Sequence, residues 1–358
     1  MPLFNAVGGS SAPRATYEYE RVEWNQGSMS TSADWESISY GNGKFVAVAN
    51  SSNISAYSTD GINWTQSTLP TTTSWYSVTY GNGKFVAVAY NSNISAYSTD
   101  GINWNQSTLP TTADWRAITY GNGKFVAVTE NSNISAYSTD GINWTQGTLP
   151  IEACWSSVTY GNGKFVAVAD FSKISAYSTD GINWTQSTMP GSYHWYSVTY
   201  GNGKFVAIGQ QGQAISPSFS AYSTDGINWN TGGQSPYPIP YMSSVYGNNT
   251  FVAISYIQSR AIKSIDGINW VSTTLPISAN WISITYGNDK FVAVARNSNI
   301  SAYYTSQFIK SSVKAFDYLD TDSDSTPDTY RYNGDTLYVS NDVEIVNYND
   351  LLTNINNS

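Results

Sequence analysis

Two of the residue types on which enzymes most often rely are nearly missing from this sequence: it has one cysteine and one histidine. Cys154 has no partner within the chain for a disulfide, and no site can be assembled from two histidines or from paired cysteines. Charge is scarce too, at 11% of residues with a net value of -9, which argues against nucleic-acid phosphates or an anionic membrane surface as partners. No stretch comes near the 18 or more apolar residues of a membrane span, so membrane insertion is not expected. The opening segment MPLFNAVGGSSAPRATYEYERV has no basic start followed by an apolar run of signal-peptide length.

What the chain has instead is aromatic side chains, 15% of residues, and repetition. The triplet beginning Tyr-Gly-Asn recurs at Tyr40, Tyr80, Tyr120, Tyr160, Tyr200, Tyr246 and Tyr286, at intervals of 40 residues with one interval of 46. A 40-residue period in a β-rich sequence predicts the blades of a propeller, one four-stranded sheet per copy. Within a copy, WESISYG reads as the first strand, Asn42-Gly43 as a two-residue hairpin turn, and KFVAVA as a second strand apolar enough to be covered on both faces. ISAYS is the third strand, Thr59 to Gly61 a second tight turn and INWTQST the fourth, with Pro70 expected to end the sheet.

The 13 tryptophans test this phasing. Six follow the Asp-Gly turn (Trp64, Trp104, Trp144, Trp184, Trp229, Trp270) and six open the first strand (Trp35, Trp75, Trp115, Trp155, Trp195, Trp281), leaving only Trp24. Trp24 lies in VEWNQGSM, which matches the fourth strand INWTQSTL but has no preceding three, whereas the seventh copy loses its fourth strand after Ser306. The expected fold is therefore an all-β, seven-bladed β-propeller closed three strands plus one by the N-terminal strand, with a small C-terminal β appendage. The expected divisions are an arm at 1–16, the propeller at 17–306 and an attachment segment at 307–358.

The motif around Ser58, Asp60, Gly61 and Trp64 resembles the Asp-box repeats of sialidase-like propellers, with the glycine one residue early. It recurs at Asp100, Asp140, Asp180, Asp225 and Asp266, and the resemblance spans roughly residues 24 to 306. It implies a structural turn at each aspartate, on the face away from any ligand. Near-identical tandem copies also resemble those of phage tail and other virion adhesins. That resemblance implies a virion location, or an extracellular one reached without the general secretory route.

Differences among the copies are confined to one side. The turns YGNGK and STDG, which a propeller places on one face, hardly change, while the opposite face varies. After the first-strand aromatic stand Glu36, Tyr76, Arg116, Ser156, Tyr196 and Ile282; after the second strand stand Asn50, Tyr90, Glu130, Asp170, Gln210, Tyr256 and Arg296. Tyr76, Tyr90, Tyr196 and Tyr256, expected to be exposed and mixed with Arg116, Asp170, Glu130 and Asn50, suit a glycan because tyrosine offers an apolar ring and a hydroxyl; Arg260 and Arg296 are expected on the same face. The expected function is a non-enzymatic module that contacts host surface polysaccharide or glycoprotein through this face and other virion proteins through its termini. The alternatives are a structural or decoration subunit and a sialidase-like hydrolase that uses Arg116, Arg260 and Arg296 on a substrate carboxylate. No cofactor is required by this reading. In the C-terminal segment, Asp320, Asp322, Asp324 and Asp328 follow the 1, 3, 5, 9 spacing of a calcium loop and resemble the Asp-rich calcium repeats of extracellular bacterial proteins, although Ser325 replaces the usual glycine.

Overall fold

The computed structural model describes residues 15–212, 216–313, 317–319, 329–332 and 335–338. One compact unit is Trp24–Thr305, and a second gathers Met1–Glu23 with Ser306–Ser358. In the second unit the described strands Asp317–Leu319, Thr329–Tyr332 and Asp335–Tyr338 pair antiparallel into a small sheet. The aspartates of the expected calcium loop, Asp320, Asp322, Asp324 and Asp328, lie outside the described residues.

The larger unit is all β, built from antiparallel strands in chain order. Trp35–Gly41 pairs with Lys44–Ala49, which pairs with Ser52–Ser58, which pairs with the strand that starts at Thr65. The same four-strand pattern follows in every copy. In two places it is joined to the next copy by one long strand, Thr65–Gly81 and Thr185–Gly201, which is the fourth strand of one copy and the first of its successor. Two seven-stranded sheets result, beside three of four strands. Pro70 therefore does not end its strand. A register shift between Ser52 and Ile54 bulges the ladder opposite Leu69 and Pro70, so that the missing proline N–H leaves no bond unmade.

The last copy takes its fourth strand from the other end of the chain. Ala15–Ala33 lies beside Ser298–Val313, which pairs with Lys290–Ala295 and that with Trp281–Gly287. Trp24 lies 5.3 Å from the Tyr304 ring and is buried with Val252, Leu275 and Trp281. It fills the position that Trp104 holds against Val46, Val48 and Leu69, where one copy packs on the next.

Burial follows the sequence pattern. Each second strand, such as Phe45 to Ala49, is fully buried on both faces. The first-strand tryptophans are fully buried too, and most bond a carbonyl four residues back, as Trp75 Nε1 does with Thr71 at 3.2 Å. Burying ~200 Å² of indole at ~25 cal/mol per Å² contributes about 5 kcal/mol before the entropy cost of ordering it.

The constant turns lock neighbouring copies together. The ring of Tyr80 sits where a Cβ on Gly41 would be, 2.0 Å from Tyr80 Cγ, and the relation repeats at every step: Tyr120 on Gly81, Tyr160 on Gly121, through to Tyr40 on Gly287. Asn82 Nδ2 donates to the Thr139 carbonyl of the following copy at 3.1 Å, and Asn288 donates to that of Thr59. These bonds place the first and second turns on one face, and the links from Gly287 to Tyr40 and from Asn288 to Thr59 return the packing to its start. Beneath them the first strands are tied by serines. Val78 N–H donates to Ser37 Oγ at 3.1 Å and Ile38 N–H to Ser283 Oγ at 3.2 Å; only Ala117 interrupts the series.

Each Asp-Gly turn is held by its carboxylate. Asp140 Oδ1 accepts from Ile142 and Asn143 N–H, each at 2.8 Å, and from Ser138 Oγ at 2.9 Å, while Oδ2 accepts from Asn143 Nδ2 at 2.8 Å. Asp60, Asp100, Asp180, Asp225 and Asp266 have the same partners. Burial slightly opposes the charge of these carboxylates, but the donated hydrogen bonds hold all six well below the usual carboxylate range.

Two stability predictions follow from these contacts. Ala at Gly161 must displace the Tyr200 ring, whereas Ala at Gly163 (φ +73°) meets nothing within 4 Å and suffers only backbone strain. Calorimetry is expected to show Gly161→Ala losing about 3 kcal/mol and Gly163→Ala about 1 kcal/mol. Because the Asp140 pKa is depressed on folding, its stabilisation is present above the unfolded value of about 4 and is lost as pH falls below it. Asp140→Asn should therefore melt below the parent protein at pH 7, and the gap should close progressively under acid conditions.

Candidate functional site

On the face opposite the constant turns, the first strands of all seven copies line one small funnel of about 130 Å³. Each contributes the residue after its buried aromatic: Glu36, Tyr76, Arg116, Ser156, Tyr196, Met242 and Ile282. Beside it, a wider cleft of about 470 Å³ is lined by Tyr256, Gln258, Asn280, Arg296 and their neighbours. A β-bulge explains the funnel. In every copy the ladder shifts register just after the buried aromatic, as between Trp35 and Ser37, so the residue between them is extra, escapes the strand pairing and is turned toward the axis.

The residues after the second strands come back to meet this ring. Arg296 grips Glu36 with two nitrogens, Nε to Oε2 at 2.8 Å and Nη2 to Oε1, joining the seventh copy to the first. Burial pushes the Glu36 carboxyl up, and the guanidinium offsets part of that shift. Tyr76 and Tyr90 pack at 5.0 Å, Arg116 lies over the Tyr76 ring at 4.5 Å, and Glu130 is 4.0 Å from Arg116 Nε. Burial, with Glu130 and Asp114 nearby, pushes the Tyr90 hydroxyl up to about 12. Across the funnel, Asp170 meets His194 Nδ1 at 2.9 Å, and His194 stacks on Tyr196 at 5.9 Å. Burial, then Asp170 and Tyr256, push Tyr196 up to about 12.

The structure thus brings Glu36, Tyr76, Tyr90, Arg116, Glu130, Asp170, Tyr196 and Arg296 into small, unlike clusters on one rim. Several are less open than the sequence suggests. Tyr76, Tyr90 and Tyr196 are half-buried by their partners and only Tyr256 is exposed; Glu36 is buried. Gln210 is 1% exposed and its amide donates to the Ser216 carbonyl at 3.1 Å, so it braces a loop. Asn50 donates to Asp34 Oδ2 at 3.0 Å. Arg260 lies apart, 4.2 Å above the Tyr237 ring.

The three arginines therefore have three separate partners, unlike a set converging on one carboxylate. Cys154 Sγ bonds Asn131 Oδ1 at 2.8 Å while His194 is held by Asp170, so they form no thiol–imidazole pair. Burial and Glu130 raise the Cys154 pKa, which keeps the thiol protonated. Among the described residues no group of three or more His, Cys, Asp or Glu side chains could hold a metal ion. Phe171, which is 70% exposed, escaped the sequence reading because a lone aromatic in a loop has no periodicity to mark it. Its signal was the contrast with Asn91 and Asn131 at the same position of other copies.

Removing the guanidinium should strand the Glu36 carboxylate. Arg296→Met is expected to cost about 3 kcal/mol at pH 8. Because burial alone then raises the folded-state pKa of Glu36, the deficit should shrink as pH falls through that raised value toward the unfolded one. The double variant Glu36→Gln/Arg296→Met should recover most of the loss, as read by thermal melts across pH.

No protein-family model matches the chain, and no curated protein sequence does. Its fold, however, is shared with solved structures. A streptogramin B lyase superposes with a TM-score of 0.69 at 12% identity, over 80% of this chain and 98% of that one. A virginiamycin B lyase from Staphylococcus aureus gives 0.69 at 15%, over 80% and 99%. YCF48 bound to D1 peptide gives 0.63 at 17%, over 85% and 100%. At these identities the likeness concerns the fold alone: repeated four-stranded sheets arranged as in β-propeller proteins.

Proposed function

We propose that the chain is a seven-bladed β-propeller with variant Asp-box turns, and that it acts as a non-enzymatic binding module whose variable face contacts host surface glycan. The setting we favour is a phage or phage-like virion, where it would be a receptor-binding component. The observation that carries this reading is the division of labour between the two faces. On one, the residues common to the copies serve cohesion: tyrosine on glycine, asparagine to the next turn, aspartate within its own turn. On the other, the same backbone positions hold a guanidinium–carboxylate pair, a tyrosine pair under an arginine, and an aspartate–histidine–tyrosine row. Crowding at the axis accounts for part of that variety, and recognition of an asymmetric partner for the remainder.

Binding fits the rim better than hydrolysis does. A sialidase-like hydrolase needs arginines that converge on the substrate carboxylate, whereas Arg116, Arg260 and Arg296 have separate partners; most other glycoside hydrolases need two opposed carboxyl groups free to exchange protons. Glu36 is buried in an ion pair, and Asp170 is engaged by His194. The lyase likeness concerns the fold and supplies no residue roles here.

The test is a glycan array together with adsorption of the fluorescently labelled chain to candidate host cells. Tyr76→Ala and Tyr196→Ala should keep the fold by circular dichroism and weaken binding about tenfold each. Binding unchanged in both variants would exclude the variable face. Absence of any glycan or cell binding by the parent protein would favour a decoration subunit.

A further inference from the structure

Among the described residues, Phe171 is the one large apolar side chain that the variable rim holds out to solvent under backbone strain. It has φ +51°, the left-handed region that asparagine tolerates and aromatic residues rarely adopt. The equivalent positions in other copies are Ser51, Asn91, Asn131 and Asn297, all left-handed as well. The turn therefore demands this conformation, and phenylalanine occupies it at a cost that asparagine would avoid. Its ring gains little burial in return, since 70% of the residue is exposed. Neither turn formation nor core packing accounts for an aromatic here.

Its surroundings do. The Phe171 ring meets His194 at 4.9 Å with 40° between planes, and His194 stacks on Tyr196 at 5.9 Å and 12°. His194 is held from the side by Asp170, the residue just before Phe171. Three rings thus run in a row from the exposed turn at Phe171 to Tyr196 at the central funnel, with a carboxylate alongside. A planar ring with hydrogen-bond acceptors at its edge is the arrangement that sugars select, because a pyranose presents an apolar C–H face and a rim of hydroxyl donors.

We infer that Phe171, with Asp170 and His194 behind it, forms a stacking subsite for a neutral hexose unit of a polysaccharide. The inference rests on the glycan-binding reading of this face and narrows it to one edge and one ligand class. Neutral sugar is favoured over acidic sugar because Asp170 stands beside the ring and the chain carries a net charge of -9. Arg296 and Arg116 are already occupied by Glu36 and by Tyr76 with Glu130, and the charge of the exposed Lys173, two residues after Phe171, is matched by that of Asp170, one residue before it.

The test uses the full chain in native gels containing mannan, dextran or galactan, where binding retards migration. Phe171→Asn restores the residue that the turn prefers, so its melting temperature should equal or exceed that of the parent. Its affinity for the retarding polymer should fall about tenfold, whereas Phe171→Trp, which keeps a ring, should bind like the parent. Equal retardation of Phe171→Asn and the parent overturns the subsite; if Tyr76→Ala still loses retardation in the same gels, the variable-face reading survives that result. A parent protein that passes all three polymers unretarded also overturns the neutral-hexose assignment, while the array and cell-adsorption results decide the broader reading separately.

Discussion

The whole of the larger unit depends on a tyrosine ring lying where a glycine has no side chain. Tyr80 on Gly41 is the first instance and Tyr40 on Gly287 the last. A Cβ at any of these glycines would fall about 2 Å from ring carbons, which no rotamer change can accommodate in packing this dense. The dipeptide Tyr-Gly is thus a joint with both halves printed in every copy: the tyrosine reaches back to the preceding copy, and the glycine receives the tyrosine of the next. The joint fixes the spacing between sheets, and the spacing determines the rest. It lets Asn82 reach Thr139, seats the tryptophans against the preceding valines, and brings the serine of one first strand to the backbone of the next. A chain built this way gains from identical copies, because a change in one half of the joint must be matched in its neighbour.

That constraint explains how much of the molecule was legible in the sequence. Four strands per copy, the Asn-Gly and Asp-Gly turns, the buried second strand and the use of Trp24 by the last sheet all follow from periodicity and turn chemistry, which are local or nearly so. Pro70 was misread because proline's effect depends on whether its position needs a donor, and the bulge opposite Ser52 and Ile54 removes that need. The candidate site was legible only as a set of positions. That Glu36 and Arg296 meet depends on the first and last copies being neighbours, and that His194 joins Asp170 depends on a residue of one copy reaching the next. No local pattern records these encounters. The sequence likewise overstated the openness of Tyr76, Tyr90 and Tyr196, since variability marks freedom from the shared scaffold and carries no information about exposure.

The pairs across the rim have a structural consequence of their own. Once the constant face holds the copies at fixed spacing, the inner ends of the first strands crowd side chains together over a narrow opening. Seven like charges there would repel, and seven large rings would not fit. The observed mixture resolves both problems: one carboxylate paired with one guanidinium, two tyrosines sharing space with an arginine, then a small serine, a tyrosine, a methionine and an isoleucine. Divergence among copies is therefore partly imposed by packing at the axis, and variation near the centre is weaker support for recognition than variation farther out.

Position on the rim then separates the two causes. Glu36, Arg296 and Gln210 satisfy one another or the backbone, and their differences from other copies are accounted for by closure of the funnel and support of a loop. Phe171 lies beyond that crowding and is exposed, and it replaces a residue better suited to its own backbone. Packing returns only one largely exposed ring contact, to His194, and the left-handed turn opposes the exchange. A substitution that costs the fold strain and returns so little is the kind that a ligand maintains. For that reason the exposed turns after the second strands, more than the funnel they surround, are where contact with a partner should be sought.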